Sequence, residues 1–445
     1  MSFWSGLAAH QLVSLVIAFA FSSSVLSQRR PAGTTFAWLL AIFFAPYLGI
    51  PLYLSFGGRK MGRPKPAAHP LAPSRAVGTE QFALGVKSSL EEVVFLDDCV
   101  VAYEAFLREI ENAKRAIRIV TFVVGDDATG RSLLDALTRR AQEGVEVHLL
   151  LDDLLRFHAP REHLARLTHA GGRIERFMPL VHVPFRGRAN LRNHRKIAVF
   201  DGARAIVGGM NLADEYMGPE RSETRWTDLS VLVRGEAVAA LDAIFCSDWE
   251  FATKQRLARL ESTTVAGPLP VRVVGSGPDV PTDPIYDAIL TAVFRAERRL
   301  WIATPYFVPD EPLVRALAIA ARGGVDVRIV VPARSNHALA DLVAAPYLRD
   351  LVIAGVDVRM FRPGMLHAKT MLVDDSVAVV GSANFDMRSL FLDYEIALFF
   401  SGPLEVARLA TWFDTAAVGI DPSLRRAGWF RSRVEEVARL LAPLM

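Results

Sequence analysis

The sequence predicts an α/β protein made of two similar halves behind a pair of N-terminal hydrophobic segments, and three observations lead there. Largely apolar stretches fill the first 56 residues. Beyond them, short branched-apolar runs alternate with amphipathic helical patterns, the mark of crossover units on a mainly parallel or mixed sheet. The order strand, helix, strand then recurs with matching local sequence in both halves. A chain of 445 residues exceeds one ordinary core, and domains of roughly 100 to 200 residues imply two or three units.

The N-terminal region accounts for the positive mean hydropathy. No Asp, Glu, Lys or Arg occurs from Met1 to Gln28, and Gln11 to Ser27 is close to the lower length limit for a spanning helix. After Arg29, Arg30 and Pro31, the uncharged run Thr34 to Phe56 would cover about 34 Å as a helix. Pro46 and Pro51 would kink it or make it re-entrant, and Trp38, Tyr47 and Tyr53 suit the interfaces. Arg59, Lys60, Arg63 and Lys65 follow it. Set against Arg29 and Arg30 in the connecting turn, they favour a multi-pass helical hairpin in the membrane with the remainder of the chain in the cytoplasm. The expected divisions are residues 1–58 for the anchor, 59–78 for a proline-rich tether, 79–262 for the first α/β domain and 263–445 for the second.

The repeat is direct. Ala116-Ile117-Arg118-Ile119-Val120 leads through a helix-like stretch to Gly144-Val145-Glu146-Val147-His148-Leu149-Leu150-Leu151. Leu300-Trp301-Ile302-Ala303 leads likewise to Gly324-Val325-Asp326-Val327-Arg328-Ile329-Val330-Val331. Each half then carries His-x-Lys-x-x-x-x-Asp: His194, Lys196 and Asp201 in the first, His367, Lys369 and Asp374 in the second. Each copy is followed by glycine and asparagine, as Gly208-Gly209-Met210-Asn211 and Gly381-Ser382-Ala383-Asn384.

Along a strand, residues two apart share a face, so each histidine points with its lysine. Asp201 and Asp374 fall where the strand should turn back, and the spacing reads them as structural. The glycines permit close backbone approach. Asn211 and Asn384 could donate to a phosphate oxygen, or cap a helix after a strand-to-helix turn.

Two histidines and two lysines suit a phosphodiester. Two ammonium groups can hold its non-bridging oxygens and stabilise transition-state charge without a metal. One imidazole can attack phosphorus while the other protonates the leaving alkoxide and later activates the incoming hydroxyl. Each imidazole then needs a carboxylate to fix its tautomer, and Asp228 and Glu395, late in the two halves, are the candidates. His148, His158, His163, His169, His182 and His337 have no such context and read as ordinary residues. With only Cys99 and Cys246 present, neither a disulfide framework nor a cysteine-rich zinc site is expected.

At these residues the chain resembles the phospholipase D superfamily, whose defining motif is the duplicated histidine, lysine and aspartate. The hydrophobic pair, Asn190-Leu191-Arg192-Asn193, Ala303-Thr304-Pro305-Tyr306-Phe307-Val308-Pro309 and Ser382-Ala383-Asn384-Phe385-Asp386-Met387-Arg388-Ser389 are similar to bacterial cardiolipin synthases within it. The resemblance implies two phospholipase D-type domains sharing one site at their interface, with no metal or other cofactor. His194, Lys196, Asp201, His367, Lys369 and Asp374 form its catalytic motif set, with His194 as nucleophile. It also implies transfer of a phosphatidyl group from one phosphatidylglycerol to another, with release of glycerol.

The membrane and its anionic lipid are thus the expected partners. Arg186, Arg188, Arg192 and Arg195, beside Phe185 and Leu191, could meet lipid headgroups or form a solvated loop. Trp429 to Met445 reads as an amphipathic helix, with Val434, Val437, Leu440 and Leu441 on one face packed on its own domain. A net charge of only +3 argues against nucleic acid as partner, leaving a nuclease the weaker rival. Lipid hydrolysis, or transfer with another donor or acceptor, is the nearer alternative, and a catalytically dead scaffold is disfavoured by the intact histidines and lysines.

Overall fold

The computed structural model describes residues 19–57 except 20, 24 and 27–31, then 85–154, 158–179, 190–261, 266–416, 428–439 and 442. The stretch before residue 19, the flanking charges Arg29, Arg30, Arg59, Lys60, Arg63 and Lys65, the tether, Phe185, Arg186, Arg188, His182, Leu440 and Leu441 lie outside the described residues.

Each half builds a sheet from the branched-apolar runs. The first orders its seven strands Glu92–Leu96, Ser230–Arg234, Arg204–Gly208, Ile197–Phe200, Ala116–Thr121, Glu146–Asp152 and Arg173–Phe177. The second repeats that order as Leu269–Ser276, Glu395–Phe400, Val377–Gly381, Thr370–Val373, Arg299–Ala303, Asp326–Pro332 and Asp357–Phe361. The duplication in sequence is therefore a duplication of topology. Helical crossovers make only the last three strands of each sheet parallel. The others pair antiparallel. The sheets are mixed rather than mainly parallel, because the motif strand returns through a tight hairpin and a hairpin can only be antiparallel.

One strand departs from the expected division at residue 79. Val86–Leu90 pairs antiparallel with Leu269–Ser276 as an eighth, edge strand of the second sheet, while Glu92–Leu96 joins the first. The two sheets are thus tied by the turn between adjacent strands. Helix Ala237–Thr253 lies between them, and one continuous apolar core takes Leu241, Phe245 and Trp249 from this helix, Val199 and Val231 from the first sheet, and Val273 and Leu398 from the second. Each half keeps a second core on its outer side.

The C-terminal helix Trp429–Arg439 packs on Ala338–Ile353, but through a different face from the one expected. Glu435 is fully buried, pairing with Arg349 and with Arg431 at 2.8 Å. Ala438 and Ala442 enter the outer core of the second half, while Val437 and Trp429 are 66% and 76% exposed. Small residues allow the close helix approach that the ion pair requires, so the valines turn outward.

At the N-terminus, helix Ala32–Phe44 stops and Pro46–Phe56 restarts after Ala45, with proline at its first position. Pro46 lacks the N–H that would continue the ladder. Among the described residues, no helix is long and apolar enough to cross a membrane. The helices meet around Val25, Ile42 and Tyr53, with the Trp38 ring 5.4 Å from that of Tyr53. Phe36, Phe44, Tyr47 and Leu48 face outward.

Asp201 and Asp374 stand at positive φ, 54° and 50°, at the turns of the motif hairpins. The Asp201 carboxylate accepts the N–H groups of Lys114, Arg115 and Ala116 at 2.7 to 2.8 Å. That of Asp374 accepts those of Glu297, Arg298 and Arg299. Both aspartates secure the start of the neighbouring strand, at the opposite end of the motif strand from the histidine. In this position they build the frame, in keeping with the structural reading of the spacing. Removing a carboxylate that satisfies three main-chain donors costs about 2 kcal/mol or more. Asp201→Ala should accordingly lower the denaturation midpoint as well as activity; loss of activity with an unchanged midpoint would put the carboxylate in the chemistry instead.

Candidate active site

His194 and His367 lie three residues before the central strands Ile197–Phe200 and Thr370–Val373, one in each sheet. Two short main-chain bridges join the halves there. The His194 N–H donates to the Tyr394 carbonyl at 2.9 Å, and the Tyr394 N–H donates to Arg192 at 2.8 Å. In the reciprocal bridge, Thr227 N–H reaches the Met365 carbonyl at 2.8 Å and His367 N–H reaches the Thr227 carbonyl at 2.7 Å. Tyr394 precedes Glu395 and Thr227 precedes Asp228. Each bridge consequently delivers a carboxylate to the histidine of the opposite half.

The side chains complete that exchange. His194 Nδ1 donates to Glu395 Oε1 at 2.9 Å, and His367 Nδ1 donates to Asp228 Oδ2 at 2.6 Å. Both carboxylates are buried. Glu395 also accepts from the Ser382 hydroxyl, and Asp228 from the Leu229 N–H at 2.7 Å. Lys196 donates to the His194 carbonyl at 2.7 Å. Lys369 donates to the His367 carbonyl and lies 2.5 and 3.0 Å from the two ring nitrogens. Gly209 explains how the strands close: an added Cβ would stand 2.2 Å from Asp228 Oδ1. At the equivalent turn, a Cβ on Gly381 would meet the Ile396 carbonyl at 2.5 Å.

Aromatic rings set the histidines apart. His194 packs edge-on against Phe122 at 5.2 Å. His367 sits between Tyr216 and Trp226, each 5.1 Å away. Sequence reasoning passed over these neighbours, although Trp226 stands two residues before Asp228 and so invited the same-face argument used for histidine and lysine.

The asparagines take neither form of the expectation cleanly. Asn211 Oδ1 accepts the Val123 N–H and the Thr121 hydroxyl, both at 3.3 Å. Neither asparagine caps a helix; Asp386 caps the helix after Asn384, accepting from Ser389 N–H at 2.7 Å. Arg192 and Arg195 are also placed differently from the headgroup-facing expectation. Both are buried, Arg192 against Asp152 at 3.3 Å and Arg195 against Asp248. Asn193 bridges the same two aspartates, its N–H to Asp152 at 2.8 Å and its amide to Asp248 at 2.9 Å. Arg195 reaches across to the carbonyls of Glu395 at 3.1 Å and Ser276 at 2.8 Å. These arginines lock the interface. His148, one of the histidines set aside, is a core residue against Trp249, and burial pushes it down to about 4.

Burial governs the electrostatics. It raises Asp228 to about 6 and Glu395 to about 8, and lowers Lys196 to about 7 and Lys369 to about 8. Burial, then the two lysines, hold both histidines well below their usual range. In the absence of substrate such a site favours neutral imidazoles; a bound phosphodiester anion repays the buried ammonium groups and offsets their effect on the histidines, which favours the charged form of an imidazole beside it. Among the described residues, no cluster of metal-ligating side chains occurs.

The family model "Cardiolipin synthase, PLD-like domain" matches residues 106–249 and 289–416, one stretch in each half. A second, "Phospholipase D-nuclease N-terminal", matches residues 15–58. The fold matches that of phosphatidylserine synthase from Haemophilus influenzae Rd KW20, with a TM-score of 0.62 at 17% identity over 81% of this chain and 95% of that one. Two phospholipase D-like domains are thus the class that fold and family model define. The major cardiolipin synthase ClsA of Bacillus subtilis is 32% identical, over 95% of this chain and 95% of its own. A cardiolipin synthase of Geobacillus thermodenitrificans is 33% identical, over 98% and 93%. The chain belongs to the cardiolipin synthase family.

Gly209→Ala should displace Asp228 and leave His367 without its partner. At least a tenfold fall in turnover is expected from losing one positioned charge-assisted bond, about 1.4 kcal/mol or more. Turnover measured beside a circular dichroism spectrum checks this; full activity would mean that the His367–Asp228 contact is dispensable.

Proposed function

We propose that this chain is a cardiolipin synthase that moves a phosphatidyl group from one phosphatidylglycerol to another, releasing glycerol. The observation that supports this most is the convergence of both histidines and both lysines, each histidine tied to a carboxylate from the opposite half. Relatives that share nearly the whole chain supply the substrate class.

The phosphodiester places its non-bridging oxygens on Lys196 and Lys369. With Nδ1 held by Glu395, His194 attacks phosphorus through Nε2 while the bond to the first glycerol breaks. His367 gives that alkoxide a proton. The phosphatidyl group now rests on His194, and glycerol departs. His367, having lost its proton, takes one from a hydroxyl of the second phosphatidylglycerol; the resulting alkoxide attacks phosphorus and the phosphorus–nitrogen bond breaks, restoring both histidines. Water in place of that hydroxyl would give phosphatidic acid, so retention of the acceptor decides the product. Asn384 and Asn211 serve the site as positioning groups around the bound headgroups.

The uncharged N-terminal helices attach the enzyme to the inner membrane. Their outward apolar side chains and the break at Pro46 suit a re-entrant or hairpin insertion, with both α/β halves on the cytoplasmic side by the positive charges that follow residue 58.

In mixed micelles of phosphatidylglycerol without added metal, mass spectrometry should find cardiolipin and glycerol. His194→Ala and His367→Ala should each lower turnover about 1,000-fold or more while leaving the fold intact. His367→Ala quenched by denaturing detergent at neutral to mildly alkaline pH, where a phosphorus–nitrogen bond survives, should still hold some phosphatidyl adduct, and His194→Ala none. Near-normal turnover in either variant would defeat the two-histidine scheme, and phosphatidic acid as sole product would make the protein a hydrolase.

The pH dependence follows from the lysines, which must be protonated to hold the phosphodiester. Because burial lowers Lys196 to about 7 and Lys369 to about 8, kcat/KM should fall as pH rises through that window. A bound anion stabilises the ammonium form, so kcat should fall only at higher pH. Coincident limbs for both parameters would show that the lysines do not titrate against bound substrate.

A further inference from the structure

The two halves repeat each other down to the asparagine after each motif, yet the asparagines differ in one respect. Asn211 is fully engaged: Oδ1 accepts the Val123 N–H and the Thr121 hydroxyl, and the side chain also bonds Tyr216. Asn384 is 6% exposed and bonds the Asp386 carboxylate. A carboxylate calls for the NH2 side of the amide, which turns Oδ1 the other way, and that oxygen has no partner among the described residues. A buried amide oxygen left unsatisfied is costly, and a hydroxyl donor is what it lacks.

Next to it stands a group of polar side chains on a scaffold that both halves share: Thr121 donates to the Val123 carbonyl at 3.2 Å and Val124 bridges Leu212 in the first half, but Tyr306 stands where the first half has Val123. The Phe385 N–H donates to the Thr304 hydroxyl at 3.1 Å, which in turn donates to the Tyr306 carbonyl at 3.0 Å. Phe307 pairs with Phe385 in a short parallel ladder. This holds Tyr306 beside Asn384. The Tyr306 hydroxyl donates to Asn336 Oδ1 at 2.5 Å, and its ring lies 5.5 Å from that of His337. Asn336 and His337 are exposed, so the group opens to solvent. It lies on the side of the reacting centre: His337 is among the groups whose charge acts on His367, and Tyr306 among those acting on Tyr216, whose ring abuts His367 at 5.1 Å.

We infer that Asn384, Tyr306, Asn336 and His337 bind the hydroxyl-bearing end of the accepting alcohol, a polyol headgroup, and present one of its hydroxyls to His367. The chemistry suits a polyol. It offers amide, phenol and imidazole groups that both donate and accept, and the neighbouring Asp341 and Asp386 carboxylates disfavour an anion at this point. The inference rests on the proposed transfer reaction and adds to it that the second half selects the acceptor. These four are binding and positioning residues for the acceptor, with His367 retained as the base.

The test compares wild type with Tyr306→Phe and with Asn336→Ala, the latter at an exposed position. Mixed micelles contain phosphatidylglycerol, with or without methanol, an acceptor too small to span the group. Products are cardiolipin, phosphatidic acid and phosphatidylmethanol. Expected is a roughly tenfold drop in the cardiolipin to phosphatidic acid ratio in each variant, the scale of one lost hydrogen bond, with the phosphatidylmethanol to phosphatidic acid ratio as in wild type. A cardiolipin ratio equal to wild type in both variants would overturn the inference, as would both ratios falling together. If wild type itself yields phosphatidic acid and no cardiolipin, the transfer reaction fails first and is distinguished by that arm alone.

Discussion

The pair of main-chain bridges between the halves, Arg192 and His194 with Tyr394, and Met365 and His367 with Thr227, is the constraint on which the site depends. A backbone bond fixes position more tightly than a long side chain can, because few rotatable bonds remain between it and the next residue. Here the next residue is Glu395 in one bridge and Asp228 in the other. Each histidine is therefore oriented by chain from the other half, and neither half contains a complete histidine and carboxylate pair. The mixed sheets, the helix Ala237–Thr253 between them and the exchanged strand Val86–Leu90 all keep these bridges in register.

That arrangement buries charge at the interface. Arg192 and Arg195 are taken out of water, a step with a desolvation cost of several kcal/mol per ion unless geometry repays it. Asp152 and Asp248, with Asn193 between them, provide the repayment through several hydrogen bonds each. The result is a rigid polar clasp beside His194 that has no equivalent beside His367, where Met365 and Leu366 occupy the matching positions. Rigidity beside one histidine and aromatic packing around the other make the two half-sites different in surroundings while they remain alike in catalytic groups. Burial of the lysines has a further effect: it weakens their charge in the free enzyme, and an anionic headgroup restores it.

Much of this was legible in the sequence, and the limits have physical causes. Two α/β halves and the four groups His194, Lys196, His367 and Lys369 follow from repeated local patterns, which a linear reading handles well. Asp201 and Asp374 were readable as turn residues from the hairpin spacing, and the family motif pulled them toward catalysis. Which carboxylate serves which histidine was not legible: Asp228 and Glu395 each lie in the same half as one histidine, and only the packed interface shows the exchange. Arg192 and Arg195 misled for a related reason, since basic residues near a phosphate site look alike whether they face solvent or a buried aspartate. The broken helix at Pro46 was signalled by the proline, whereas the outward turn of Val434 and Val437 depended on the Glu435–Arg349 pairing with a distant helix.

Hydrogen exchange of the detergent-solubilised protein, resolved to single amides by fragmentation, tests the reciprocal bridges most directly. The amides of His194, Tyr394, Thr227 and His367 should be among the slowest in the chain and should exchange together, because all four open only when the halves separate. Fast exchange at these amides, while the strands on either side stay protected, would contradict the account: the halves would then be standing side by side without the bridges that carry Glu395 and Asp228 across.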